Sequence, residues 1–124
     1  MDKTPETTFE QLVAEVRLFA KNRDWQQFHT PRNLVLALSG EIGELAAEFQ
    51  WISDVEVDEA LKAQAKHDHV ARELADVFIY LIYLSDVLKI DLISVALNKI
   101  EENEFRYPVD QVRGSSAKYT AYES

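Results

Sequence analysis

The sequence predicts an all-α fold, and three observations carry that prediction. Only 3 glycines and 3 prolines interrupt 124 residues. Apolar residues recur at spacings of three and four, the period of one helix face. No stretch alternates apolar and polar residues as a half-buried strand would. The length suits one domain with one core. Residues 1–108 read as that domain, and residues 109–124, polar and thin in aliphatics, as a C-terminal tail.

The first helix is predicted from about Thr8 to Phe28, with Phe9, Leu12, Val13, Val16, Phe19 and Ala20 as its apolar stripe. The second starts at Pro31, where a missing N–H costs nothing, behind Thr30 as N-cap, and runs to about Ile52. Residues 53–57 read as a polar, acidic connection. A third helix follows from about Asp58 to Lys89. Its second half, Val77 to Leu84, is apolar on nearly every side. A domain this small cannot bury all of that surface within one chain, so a packed homo-oligomer is expected. Asp91 reads as the N-cap of a fourth helix, Leu92 to about Glu104, and Pro108 as the end of the ordered part. The expected architecture is therefore an oligomeric four-helix bundle.

Composition excludes several classes. There is no cysteine, hence no disulfide framework, thiolate zinc site or cysteine nucleophile. The longest apolar run is far short of the roughly 20 residues of a membrane span. The N-terminal segment lacks the apolar core of a signal peptide, and a cytoplasmic setting is expected. With 13 Lys+Arg against 22 Asp+Glu the net charge is −9, which argues against a general nucleic-acid binder. An acidic protein can still take an anionic ligand when a metal cation stands between them.

The acids are not scattered. At about 100° per residue, Glu41, Glu44 and Glu48 share one face of the second helix. They border the stripe of Leu34, Leu38, Leu45 and Ile52 rather than opposing it. Gly40 and Gly43 leave space beside them. In the third helix Glu73 and Asp76, three apart, flank Val77, Tyr80 and Leu84 in the same way. If the two apolar faces pack, the acids meet. Carboxylates so gathered must bind protons or a cation. Hard divalent cations take oxygen ligands, Mg²⁺ is the most available, and its shell often adds phosphate oxygens. A di-iron bundle would need two Glu-x-x-His pairs, and the sequence has none. His67 and His69, around Asp68, read as solvated helix surface.

Lys99, Asn103 and Arg106 form one stripe of the fourth helix, suited to a polyphosphate or else pairing with Glu101 or Glu102. Trp25, Phe28 and His29 cluster before the second helix, and Trp51 stands near its end. Such aromatics serve a stacked nucleobase or anchor a core. Two functional readings compete: a metal-dependent nucleotide hydrolase, and a non-catalytic acidic module that oligomerises through residues 77–84.

The ordered blocks Arg23-Asp24-Trp25-Gln26-Gln27-Phe28-His29, Pro31-Arg32-Asn33-Leu34, Gly40-Glu41-Ile42-Gly43-Glu44, Glu48-Phe49-Gln50-Trp51 and Glu73-Leu74-Ala75-Asp76 resemble the all-α nucleoside triphosphate pyrophosphohydrolases, the MazG-like superfamily. Asn103-x-x-Arg106-Tyr107-Pro108 and Ser115-Ser116-x-Lys118-Tyr119-Thr120 extend the likeness. It is nearest to the dCTP pyrophosphatase branch, which shares the glycine at Gly40. The resemblance implies a homo-oligomer, a tetramer built as a dimer of dimers, acting on a deoxynucleoside triphosphate. It implies Mg²⁺ bound by Glu41, Glu44, Glu73 and Asp76. On the mechanism expected for such a site, Glu41 or Glu44 accepts the proton of the attacking water and Glu48 orients a ligand or a water. Trp25, Phe28, His29, Trp51 and Tyr80 would surround the nucleotide, and Lys99, Asn103 and Arg106 would face its phosphates. The implied reaction releases a monophosphate and pyrophosphate from dCTP or a related, modified nucleotide, a step in nucleotide-pool sanitation. Related enzymes acting on dUTP or a phosphoribosyl nucleotide are the alternatives within the class. Animal members of the branch are expected to carry a base-contacting histidine where this chain has Val16.

Overall fold

A computed structural model of the chain describes residues 7–116, and every regular element among them is helical. Helix α1 spans Phe9–Asn22 and begins at a reciprocal cap: Thr8 Oγ1 accepts from the Gln11 N–H at 3.2 Å, and the Gln11 side chain accepts from the Thr8 N–H at 2.7 Å. Two otherwise orphaned N–H groups are satisfied this way. The helix stops earlier than the predicted Phe28. The Trp25 N–H bonds the Ala20 carbonyl, the Asp24 N–H bonds the Lys21 carbonyl, and Asp24 takes a left-handed φ of 55°. This is a Schellman termination with aspartate where glycine is usual. Gln27 Nε2 ties the turn by donating to the Asp24 carbonyl and carboxylate. A 3-10 turn, Gln26–Phe28, follows.

Helix α2, Pro31–Ala47, starts as predicted, with Thr30 Oγ1 accepting from the Asn33 N–H and proline in the first turn. It ends before the predicted Ile52. The Glu48 carbonyl accepts from Lys66 Nζ at 2.8 Å, and the Ile52 N–H turns instead to the Phe49 carbonyl. A side chain from a distant position has taken the acceptor that the next helical turn would use.

The predicted connection at residues 53–57 is itself helical. Helix α3, Asp54–Leu61, opens at Ser53, whose N–H and Oγ–H both donate to the Glu56 carboxylate. The single long helix predicted from Asp58 is accordingly two. The chain breaks at Ala63, which is extended, and α4 runs Gln64–Val87. Helix α5, Leu92–Arg106, is capped as predicted by Asp91, which accepts from Ser94. Pro108 does not close the ordered part: a short helix α6, Val109–Val112, follows it. Residues 117–124, including Lys118-Tyr119-Thr120, lie outside the described residues. Four helices of 14 or more residues, α1, α2, α4 and α5, carry the all-α architecture.

The chain divides into two compact units, one through Lys89 with α1–α4 and one from Ile90 with α5 and α6. In the first, α4 is the central helix, packing on α1, α2 and α3, most extensively on α2. Its core is small: Val16 and Ala20 from α1, Leu34 from α2, and Ile82 and Tyr83 from α4. Phe9, Leu12, Val13, Ile79, Tyr80 and Leu84 pack around them. Asp86 of α4 grips Arg17 of α1 through Nε and the guanidinium tip. In the second unit, α5 exposes Ile93, Val95, Leu97, Ile100 and Phe105.

Candidate active site: a carboxylate cluster and an aromatic cavity

The α2–α4 packing fixes the site. Glu41 and Glu44 are three apart on α2, Glu73 and Asp76 three apart on α4, so each pair shares a helix face. Glu41, Glu73 and Asp76 bring carboxylate oxygens within 4.8 Å of one another. Glu44 stands within hydrogen-bonding reach of both Glu41 and Glu73. All four predicted metal acids therefore converge. Gly40 and Gly43 border open space, with nothing within 4 Å of where a Cβ would sit.

The electrostatics are those of crowded, partly buried carboxylates. Burial raises the pKa of Glu41 above the ordinary carboxylate range, and repulsion from Glu44, Asp76 and Glu73 adds to the shift. Glu73 is raised likewise, by burial first and then by Glu44. Glu41 Oε2 and Glu73 Oε2 are buried without a hydrogen-bond partner. Unsatisfied buried carboxylate oxygens are costly, and a hard divalent cation is what such a donor set fits.

Glu48, also predicted on this face, is differently placed. It caps the end of α2 and takes Lys66 Nζ and His69 Nε2, the latter at 2.8 Å. Hydrogen bonding to Lys66 holds its pKa below the ordinary range.

A cavity of about 310 Å³ is lined by Trp25, Phe28, His29, Asn33, Leu34, Ala37 and Tyr80. Four of the predicted nucleotide residues, Trp25, Phe28, His29 and Tyr80, thus share one space. The His29 ring lies 4.3 Å from that of the buried Tyr83, and burial lowers its pKa. Trp25 packs edge-on against Phe19. Asn33 donates to the Phe28 carbonyl and so holds the 3-10 turn against α2. Val16, where a histidine is expected in animal members of the branch, is instead part of the core.

Trp51 does not line this cavity and is 86% exposed, which also removes it as a core anchor. It lies in the turns beyond the true end of α2. Lys99 and Arg106 of α5 both pair with Glu102 in the second unit, one of the two acids predicted as their partner; Asn103 is on the same helix. Sequence reasoning missed Asn33, Lys66 and Tyr83, and set His69 aside as surface. Asn33, Leu34 and Ala37 fall within one turn of α2, and Lys66, His69 and Glu73 lie at i, i+3 and i+7 on α4; those spacings were the available signal.

This all-α chain offers, between its two best-packed helices, oxygen donors that fit a divalent cation, and a cavity whose aromatic faces fit a ring-bearing ligand. The family model described as the MazG-like family matches residues 36–121, and the chain belongs to that family. It is 45% identical over 117 residues to dCTP pyrophosphatase 1 of Mus musculus, spanning 94% of this chain and 69% of the mouse protein. Its identity to dCTP pyrophosphatase 1 of Homo sapiens is 44% over the same spans. Among solved structures it resembles a pyrophosphatase from Archaeoglobus fulgidus with a TM-score of 0.75 and 37% identity, covering 87% of this chain and 99% of that one.

Proposed function

We propose that the chain hydrolyses dCTP, or a closely related modified deoxynucleoside triphosphate, at the α–β phosphoanhydride bond, with Mg²⁺ held by Glu41, Glu44, Glu73 and Asp76. It is a diphosphatase, as its likeness to the mouse and human dCTP pyrophosphatases and to the archaeal pyrophosphatase supports. The observation that carries the metal assignment is the pair of buried, unpartnered oxygens, Glu41 Oε2 and Glu73 Oε2, in the midst of four converging acids.

When bound, Mg²⁺ supplies the positive charge that draws the triphosphate to this acidic face and polarises the phosphorus under attack. The protein's own groups do the rest. Trp25, Phe28 and Tyr80 offer aromatic faces to the base, and His29 and Asn33 its polar contacts. Glu44, within reach of both Glu41 and Glu73, is placed to take the proton of the attacking water, with Glu41 beside it. Water adds its oxygen across the anhydride, the bridging bond breaks, and the products are dCMP and pyrophosphate.

The same proposal gives Lys99, Asn103 and Arg106 to the phosphates from a neighbouring subunit of a homotetramer, arranged as a dimer of dimers. Support for assembly is the apolar surface left open on α2, α4 and α5, including Leu36, Leu74, Phe78 and Phe105. Such patches mark interaction surfaces. Trp51, exposed in the chain, would reach the nucleotide across the same interface. The carboxylates and the aromatic cavity both belong to the unit through Lys89, and a role in clearing surplus or modified nucleotides suits a cytoplasmic setting. No helix among the described residues is long and apolar enough to cross a membrane.

The test is a panel of nucleoside triphosphates with Mg²⁺, assayed for pyrophosphate and orthophosphate separately. We expect pyrophosphate, with dCTP or a modified dCTP turned over fastest. Orthophosphate as the first product would refute cleavage at the α–β bond.

A further inference from the structure

Behind the carboxylate cluster the structure holds a second polar assembly that links α2 to the start of α4. Lys66 Nζ donates to Glu48 twice, to its carbonyl and to its carboxylate. His69, one turn further along α4, places Nε2 2.8 Å from Glu48 Oε1 and 3.6 Å from Glu73 Oε1. The first is a hydrogen-bonding distance; the second is within ion-pair range. Glu48 and Glu73 have little exposure, 17% and 14% of their side chains, whereas His69 is half exposed.

Glu73 therefore has two unlike oxygens. Oε1 faces the imidazole, and Oε2 is buried and unpartnered on a carboxylate that belongs to the acidic cluster. A carboxylate free to rotate would present either oxygen in many orientations. One fixed from behind presents a single oxygen forwards. Groups that fix a ligand in this way affect metal affinity nearly as strongly as the ligands themselves, about 10–100-fold when removed. The Lys66 ammonium neutralises Glu48, so the acid that steadies His69 adds little repulsion to the cluster.

The geometry points to His69 as a positioning residue for Glu73, with the Lys66–Glu48 pair as the anchor that holds the imidazole in place. This rests on the proposal that the cluster binds a divalent cation, and adds to it the groups that set the cation's affinity. The role is one of position: the Nε2 edge of the ring is held at Glu48 and abuts Glu73 Oε1.

Mn²⁺ serves as the probe, its free concentration followed by electron paramagnetic resonance during titration of the full chain. We expect saturable binding to the wild type, strong loss in Glu73→Gln, and a dissociation constant raised about 10–100-fold in His69→Ala. His69→Gln, whose amide N–H can still bridge the two acids, should recover much of that loss. Lys66→Met should weaken binding less than His69→Ala. Metal-free melting of His69→Ala should stay close to that of the wild type, since the side chain is half exposed. In turnover, raising Mg²⁺ should restore the kcat of His69→Ala, while the KM for dCTP at saturating Mg²⁺ stays unchanged. A purely structural role would not show that split. An unchanged Mn²⁺ dissociation constant in His69→Ala would overturn the positioning role and leave the metal site standing. Equal Mn²⁺ binding by wild type and Glu73→Gln would overturn both.

Discussion

Two acidic groups lie along the same α2–α4 seam, and they have opposite fates. Glu48 meets a lysine and a histidine, and its pKa is held down. One to two turns away, the charges acting on Glu41 are Glu44, Asp76 and Glu73, all acids, and its pKa is pushed up. The fold demonstrates at Glu48 that it can supply cations to this seam. It gives Glu41 none, and Glu73 only the edge of His69, at a cost in stability. Uncompensated charge kept beside compensated charge is a common feature of functional sites, and it is what the proposed metal would balance.

The sharpest way to break this contrast is to remove the uncompensated acids. Glu44→Ala or Asp76→Ala should lower kcat/KM by about 10³-fold, the several kcal/mol that a lost metal contributes to phosphoryl chemistry. Helical circular dichroism should be retained, because both side chains are exposed. Glu48→Leu, on the compensated side, should cost far less activity. Next in size is the aromatic wall: Phe28→Ala should raise the KM for dCTP about 10–100-fold, the usual worth of one base–aromatic stack. Adding Mg²⁺ with a non-hydrolysable nucleotide should raise the melting temperature, by the equivalent of about 2.7 kcal/mol at a hundredfold excess over Kd. The Glu44→Ala variant should not respond.

The pH dependence sharpens the same contrast. Glu41 and Glu73 hold protons more tightly folded than unfolded. Their contribution to stability is complete below the ordinary carboxylate range and is lost as pH rises through their raised values. Glu48 has the reverse sign: its contribution is present above that range and is lost as pH falls through its depressed value. In chelator, Glu41→Gln should therefore melt higher than wild type at neutral pH and alike in acid. Glu48→Gln should melt lower at neutral pH, with the gap closing in acid. The smallest effect belongs to the exposed Arg17–Asp86 pair, where Asp86→Asn should cost no more than about 1 kcal/mol in a denaturant titration.

Much of this was legible in the sequence because it is periodic. The pairing of Glu41 with Glu44 and of Glu73 with Asp76 follows from helix geometry alone, as does their place beside the apolar stripes. What was not legible came from contacts between distant positions or from unusual residues at ordinary jobs. Asp24 takes a left-handed turn where glycine would have announced it. The end of α2 is set by Lys66, 18 residues away. The break at Ala63 carries neither glycine nor proline. Ser53-Asp54-Val55-Glu56 did carry a helix-start signature, and its acidity obscured it. His69 read as surface because half of it is; what it touches depends on Glu48 arriving from another helix.

The Lys66 grip on Glu48 also closes a neck. Residues 49–63 run out from the end of α2 and return to the start of α4, with α3 between. The entropy of closing such a loop grows only slowly with its length, about 0.6 kcal/mol per doubling. Insertions placed at the break between α3 and α4, at Lys62 and Ala63, should therefore be absorbed there without disturbing the carboxylates or Trp51, which makes this break a natural graft point for an epitope or a fluorescent reporter.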